Sequence, residues 1–228
     1  MKYLFLFLLV FTSGAAVATE PGSQYQQQAE AGDPRAQFYL ADTWVSSGNY
    51  QQAEFWAQKA AAQGDGDALA LLAQLKIRNP QQADYQQARQ LAEKSVQAGS
   101  KAGEIILARV LVNQQAGPTD YAHAITLLQD AAQDSESDAA VDAQMLLGLI
   151  YASGVHGPED DVKASAYFKG SSALSRTGYA EYWAGMMFQQ GEKGFIEPNK
   201  QKALHWLNVS CLEGFDTGCE EFDRISKG

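Results

Sequence analysis

Two cysteines, Cys211 and Cys219, are the residues of this chain whose type and spacing most suggest chemistry. They are the only cysteines in the sequence and lie eight positions apart in the segment HWLNVSCLEGFDTGCEEF, around a turn that contains glycine. Such a pair can ligate a metal, form a redox couple, supply a nucleophile or form a structural cross-link. The choice depends on the compartment of the protein and on the elements that position the turn.

Other chemical signatures are weak. A structural zinc site needs about four nitrogen or sulfur ligands, and the three histidines, His123, His156 and His205, are far apart in the sequence. The redox motif C-x-x-C is absent, as are S-x-x-K, G-x-S-x-G and H-E-x-x-H. The acidic runs at 134–138 and 159–161 lack the order of a calcium loop and are typical of solvated surface. We therefore predict no catalytic residue, no metal and no cofactor.

The first residues predict export. Lys2 precedes an apolar run over 3–11, which is too short to span a bilayer, and small residues then lead to Ala16-Val17-Ala18. A basic start, an apolar stretch and an A-x-A site form a secretory signal peptide, with cleavage expected after Ala18. The mature chain is then expected in the bacterial periplasm, with secretion to the medium as the alternative, and without membrane insertion.

Charge restricts the partners. The whole chain has a formal net charge of −10, and loss of residues 1–18 would leave 16 basic residues against 27 acidic ones. A strongly acidic protein repels nucleic-acid phosphates and anionic lipid surfaces, so we exclude nucleic acid as the partner.

Repeats organise the rest of the chain. Five segments begin with alanine and carry a large apolar residue three positions later, followed at offsets seven and eight by mostly small residues, a spacing that occupies one helical face. They start at Ala53, Ala88, Ala124, Ala164 and Ala203. Five apolar segments alternate with them, each with a small residue at offset five, and start at Ala36, Ala68, Gly103, Ala143 and Ala180. A two-helix unit that recurs every 32–40 residues predicts an all-α solenoid of helical hairpins.

These units resemble the Sel1-like repeat family. The unit AQMLLGLIYASGVHGPEDDVKASAYFKGSSA is most similar to the pattern, whereas the second and third units lack its Gly-rich turn. The resemblance extends over about residues 24–226, and the chain as a whole is similar to exported Sel1-repeat proteins of enterobacteria. It implies a right-handed superhelix of αα hairpins that binds other proteins.

The predicted organisation has a signal peptide, a lead-in segment, five repeats and a terminal helix. The bounds are 1–18, 19–33, about 34–64, 65–99, 100–134, 137–177 and 178–214, and 216–226. In this register Cys211 ends the last complete unit and Cys219 begins the terminal helix. In an oxidising compartment such a pair forms a disulfide, and cysteine-rich secreted members of the family have bridges at this spacing. We expect Cys211 and Cys219 to be cross-linked.

The functional hypothesis is an exported scaffold that binds another protein, with the chain itself expected to be monomeric. The alternative, by analogy with cysteine-rich family members, is a weak hydrolase or binding protein directed at cell wall or β-lactams. For the scaffold we predict that offsets 6 and 10 of each first helix line the concave face, with Arg78 and Arg109 as anchors for a carboxylate; an ordinary solvated face is the simpler interpretation. The predicted partner-binding residues are Asp42, Gln74, Arg78, Arg109, Asn113, Leu149, Met186 and Gln190.

Overall fold

The structure is a computed structural model that describes residues 23–78, 83–133, 137–172 and 177–227. The predicted signal peptide and its cleavage site therefore lie outside the described residues. The described part contains twelve α-helices and one short 3₁₀ helix. The α-helices are α1 (Ser23–Glu30), α2 (Pro34–Ser46), α3 (Tyr50–Ala62), α4 (Gly66–Ile77), α5 (Tyr85–Gln97), α6 (Lys101–Val112), α7 (Tyr121–Ala131), α8 (Asp138–Ser153), α9 (Asp161–Ser172), α10 (Tyr179–Gln190), α11 (Lys200–Leu212) and α12 (Asp216–Ser226). The 3₁₀ helix, Gln114–Ala116, follows α6.

A recurrent cap forms each helical hairpin. The residue before the second helix is Asp or Asn, and its side chain accepts a hydrogen bond from a backbone N–H in the first turn, as Asp84 does from Gln87. The backbone N–H of the same residue donates to a carbonyl in the last turn of the first helix, as Asp84 does to Lys76. One residue thus caps one helix and is anchored to the other, which holds the two helices antiparallel.

Left-handed glycines end the second helices. Gly64, Gly99 and Gly214 have φ of 87°, 82° and 90°, and the residue after each donates its N–H back to a carbonyl five positions earlier. This Schellman closure favours glycine because a Cβ is strained at positive φ. The chain is then turned directly into the next first helix.

Small residues set the distances between helices. A Cβ on Gly148 would lie 2.3 Å from the ring of Phe168, and one on Gly103 would lie 2.2 Å from Oγ of Ser95. The first contact is within a unit and the second is between successive units. Glycine therefore allows close approach both within and between hairpins, as the small residues of the repeat pattern predict.

The first helices, α2, α4, α6, α8 and α10, form the inner row of the molecule. Each contacts the first helix of the next unit, whereas the second helices of neighbouring units do not contact one another in the described part of the chain. The described chain is an all-α solenoid of helical hairpins, which confirms the predicted fold class. No helix in the described ranges has the length and apolar character needed to cross a bilayer.

Candidate functional site: the concave groove

The inner row of helices encloses a groove of about 930 Å³. Four positions of the repeat line it, at offsets −1, 2, 3 and 6 from the start of each repeat pattern, a spacing that occupies one helical face. We call the residues at these positions, together with Lys101, Asp138 and Glu192, which also line it, the concave groove. Offset −1 contributes Arg35, Asp67, Ala102, Asp142 and Tyr179; offset 2 Phe38, Ala70, Ile105 and Met145; offset 3 Leu71, Ile106, Leu146 and Trp183; and offset 6 Asp42, Gln74, Arg109 and Leu149.

The floor of the groove is apolar and largely buried. Ile105, Ile106 and Met145 are each 7% exposed, and Trp183 is half-buried at one end. No residue of a described second helix lines this surface, which is formed by the first helices, by residues just before them such as Ser100 and Ser137, and by Glu192 of the loop between α10 and α11.

Each of the three cations of the groove is held by an acidic neighbour within the chain. Arg35 Nη1 lies 2.6 Å from Asp67 Oδ2, and Lys101 Nζ lies 3.1 Å from Glu104 Oε1 and close to Asp130. Arg109 Nη2 is 3.6 Å from Glu192 Oε1. A cation that already has such a partner is less available to a carboxylate from outside.

Three acidic side chains of the groove differ from these cations. Asp42, Asp138 and Asp142 are exposed, and within the described residues none of them has a hydrogen-bond or ion-pair partner. The surrounding walls displace water and so raise the pKa of Asp142, an effect that Arg109 opposes and Asp138 reinforces. The free charge of the groove is therefore negative.

The loop between α10 and α11, residues 191–198, which we call the strap, reaches back to the third unit and contributes Glu192 to the groove lining. Its Gly194 carbonyl accepts a hydrogen bond of 2.7 Å from Gln114 N, and Lys193 O accepts one of 3.2 Å from Asn113 Nδ2. The strap thus connects the fifth unit to the third and passes the fourth. It also carries Glu192, the partner of Arg109.

The predicted concave residues divide into two sets. Asp42, Gln74, Arg109 and Leu149 at offset 6 do line the groove, whereas the offset-10 residues lie beyond it. Leu149 is completely buried in the floor of the groove and Asn113 is 3% exposed, so neither presents an exposed side chain to a partner. Asn113 instead donates a hydrogen bond to the strap.

The remaining predicted residues lie near the margins. Met186 is half-buried and Gln190 is exposed, and neither lines the groove. The Arg78 guanidinium stacks on the Tyr50 ring at 3.4 Å. Arg78 and Arg109 instead share a smaller cavity of about 230 Å³ beside the strap.

Sequence reasoning missed offsets −1, 2 and 3, which supply most of the groove. The signal was present in the offset −1 row, which is polar in three of the five units although it adjoins core positions. Trp183, a half-buried residue of α10, also lines the groove. Large apolar side chains at offsets 2 and 3 look like core, because a narrow groove buries its floor nearly as well as a protein interior does.

Outside the groove, the cysteines lie at the C-terminal end of the solenoid. Cys211 in α11 and Cys219 in α12 are joined by a disulfide, with Cα atoms 4.6 Å apart. The bridge spans the turn between the two helices. Beside it, Phe215 contacts the rings of Tyr179 and Tyr182 from α10.

Comparison with known proteins places this architecture in a family. The Sel1 repeat model matches residues 34–65, 68–100, 141–173 and 178–215. The chain belongs to the Sel1-repeat family. The hairpin of α6 and α7 lies between the matched segments, in agreement with the departure of the third unit from the repeat pattern.

Relatives of this Sel1-repeat protein match at least 90% of its length. The Sel1-repeat-containing protein YjcO of Escherichia coli (strain K12) is 66% identical over 99% of this chain and 97% of its own. A solved Sel1 repeat protein from Klebsiella pneumoniae is 92% identical, with a TM-score of 0.89 over 91% of this chain and 100% of that one. A Sel1 repeat protein from Oxalobacter formigenes, 18% identical, has a TM-score of 0.56 over 90% of this chain and 88% of that one, and it shows the fold alone.

Proposed function

We propose that this protein is an exported, non-catalytic scaffold of the bacterial envelope that binds a segment of another protein in the concave groove. Family membership indicates a protein–protein interaction scaffold. The observation that supports the site is the groove itself, in which the same four repeat positions from successive first helices provide one continuous surface. Solenoids use such extended concave surfaces for binding.

Export is supported by two independent features. The first eighteen residues have the order of a signal peptide, and the disulfide between Cys211 and Cys219 is compatible with an oxidising periplasm. We expect the exported protein to begin at Thr19. N-terminal sequencing of protein from a periplasmic fraction tests this, and recovery of intact Met1 from the cytoplasm would contradict it.

Site-specific photo-crosslinking tests the groove. Gln74 is an exposed groove residue on α4, and Gln90 is an equally polar, exposed residue on the second helix α5. With a photoreactive amino acid at position 74, we expect cross-links in cells to map by mass spectrometry to one segment of one partner. The same group at position 90 is the matched control. Equal capture of that segment from both positions, or capture from position 90 alone, would place binding outside the groove.

A further inference from the structure

In the concave groove, the basic side chains have ion-pair partners within the protein, whereas some of the acidic side chains have none among the described residues. Arg35, Lys101 and Arg109 each lie within ion-pair distance of an acidic side chain of the same protein. Asp42 and Asp142 are exposed in the groove, and in the described ranges neither has such a partner. A bound segment therefore meets unsatisfied negative charge.

The arrangement on α8 strengthens this asymmetry. Asp138 lies one helical turn before Asp142, and like charges at this spacing repel each other. The helix N-terminus favours a carboxylate at Asp138, whereas Asp142 lies beyond the first turn. A cation placed between the two side chains would relieve their repulsion.

The apolar floor of the groove favours a ligand whose cation is attached to apolar groups. Ile105, Met145 and Leu146 provide an apolar surface, and Trp183 presents its ring at the end of the row. The aliphatic stem of lysine or arginine packs on such a surface while its charged end remains solvated. A tryptophan ring also attracts a cation.

We propose that the concave groove binds an extended peptide segment that carries apolar side chains and at least two basic residues, one near Asp138 and Asp142 and one near Asp42. Asp42 is on α2 and Asp142 on α8, three first helices further along the chain. Neighbouring helices lie about 8–10 Å apart, so the two positions require a segment of roughly eight extended residues. This inference rests on the proposed function and reverses the sequence-based expectation that arginines of the groove would bind an acidic partner.

Selection of random peptides tests the charge of the occupant. A phage-displayed library of peptides of about twelve residues, long enough to cover the span, is selected on the purified oxidised chain at low ionic strength. We expect the selected pool to be enriched in lysine and arginine. A synthetic peptide with the most enriched sequence should bind about tenfold more weakly to D42N/D142N, because two exposed charge pairs are lost, and more weakly in high salt.

The control variant is D216N/E220Q. Asp216 and Glu220 are exposed on α12, lie outside the groove and the strap, and provide the same change in net charge. It should bind the peptide within about twofold of the unmodified chain, and the circular dichroism spectrum of both variants should be unchanged. Equal weakening by both variants would mean that any acidic surface attracts the peptide, and would overturn the inference.

Two further results are distinguishable. A selected pool that is apolar but neutral or acidic would overturn the inference, while the groove would keep its proposed function. If no peptide is enriched, or if the selected peptides cross-link only outside the groove, the inference and the proposed function both fail.

Discussion

At the scale of single residues, Glu181 is the least expected side chain of the molecule. It lies in the first turn of α10, is completely buried, and neither carboxylate oxygen has a hydrogen-bond partner in the described structure. Burial raises the pKa of Glu181; its own backbone N–H opposes this increase, the charge of nearby Glu213 adds to it, and Lys169 opposes it. In the first unit, Gln37 occupies the position equivalent to Glu181, and Gln63 occupies the position equivalent to Glu213. There, Gln63 Nε2 donates a hydrogen bond of 2.9 Å to Gln37 Oε1.

This comparison predicts that Glu181→Gln stabilises the protein at neutral pH. Because the folded state raises the pKa, it binds the proton more tightly than the unfolded state does, so stability is greatest below the ordinary pKa of glutamate and is lost as pH rises through the raised value. We expect a gain at pH 7 on the order of 1–3 kcal/mol that disappears as the pH approaches the ordinary pKa.

Urea unfolding at several pH values measures this gain. Glu220→Gln, at an exposed position of α12, is the control and should change little. A loss of stability in E181Q at pH 7 would show that the carboxylate is satisfied in solution.

The disulfide is a second residue-scale feature with a measurable consequence. Closing a loop of eight residues is worth about 2.5 kcal/mol on the chain-entropy estimate. Replacement of both Cys211 and Cys219 by serine should therefore loosen α12, which contacts only α10 and α11 among the described helices. Hydrogen exchange should increase in α12 and leave α2 to α8 unchanged. Two free thiols in protein taken from the periplasm would contradict the assignment of a disulfide between Cys211 and Cys219.

At the scale of elements, the hairpins follow from local sequence and the strap does not. Alternating apolar and small positions predict the helices, and Asp33 before Pro34 predicts the cap that the structure shows, with Ala36 N 2.7 Å from Asp33 Oδ1. The contact of Asn113 with the strap joins residues 80 positions apart. No local pattern indicates which loop reaches back to the third unit, because the partners of that loop are distant in the sequence and are brought near it by the superhelix.

The strap itself supplies the next prediction. Gly194 has φ of 83°, and a Cβ there would lie 2.5 Å from Asn113 Oδ1. Gly194→Ala should therefore displace the strap and destabilise the chain by about 1–3 kcal/mol. Hydrogen exchange at 113–116 and 191–198 should increase together. Gly157→Ala is the control, since a Cβ at that position meets open space. Unchanged exchange in G194A would mean that the two segments do not depend on each other.

At the scale of the whole molecule, the solenoid has a continuous inner surface, and the described helices contact only helices of the same unit and of adjacent units. The first and second helices of one unit touch each other and the adjacent units, and the strap is the exception that reaches further. Stability in such a chain is approximately a sum of unit and interface contributions. Damage in the middle should therefore spread further than damage at an end.

Gly148→Ala tests this central dependence. Gly148 is in α8 and Phe168 is completely buried in α9, and the added methyl group would overlap the ring. The overpacking should cost about 1–3 kcal/mol. Hydrogen exchange should increase in α8 and α9 and also in α6 and α10 on either side, with loss of peptide binding in the groove. The cysteine double variant should instead increase exchange in α12 and leave α2 to α8 unchanged. If both variants raise exchange throughout the chain, the molecule unfolds as one cooperative unit, and the groove depends on every hairpin equally.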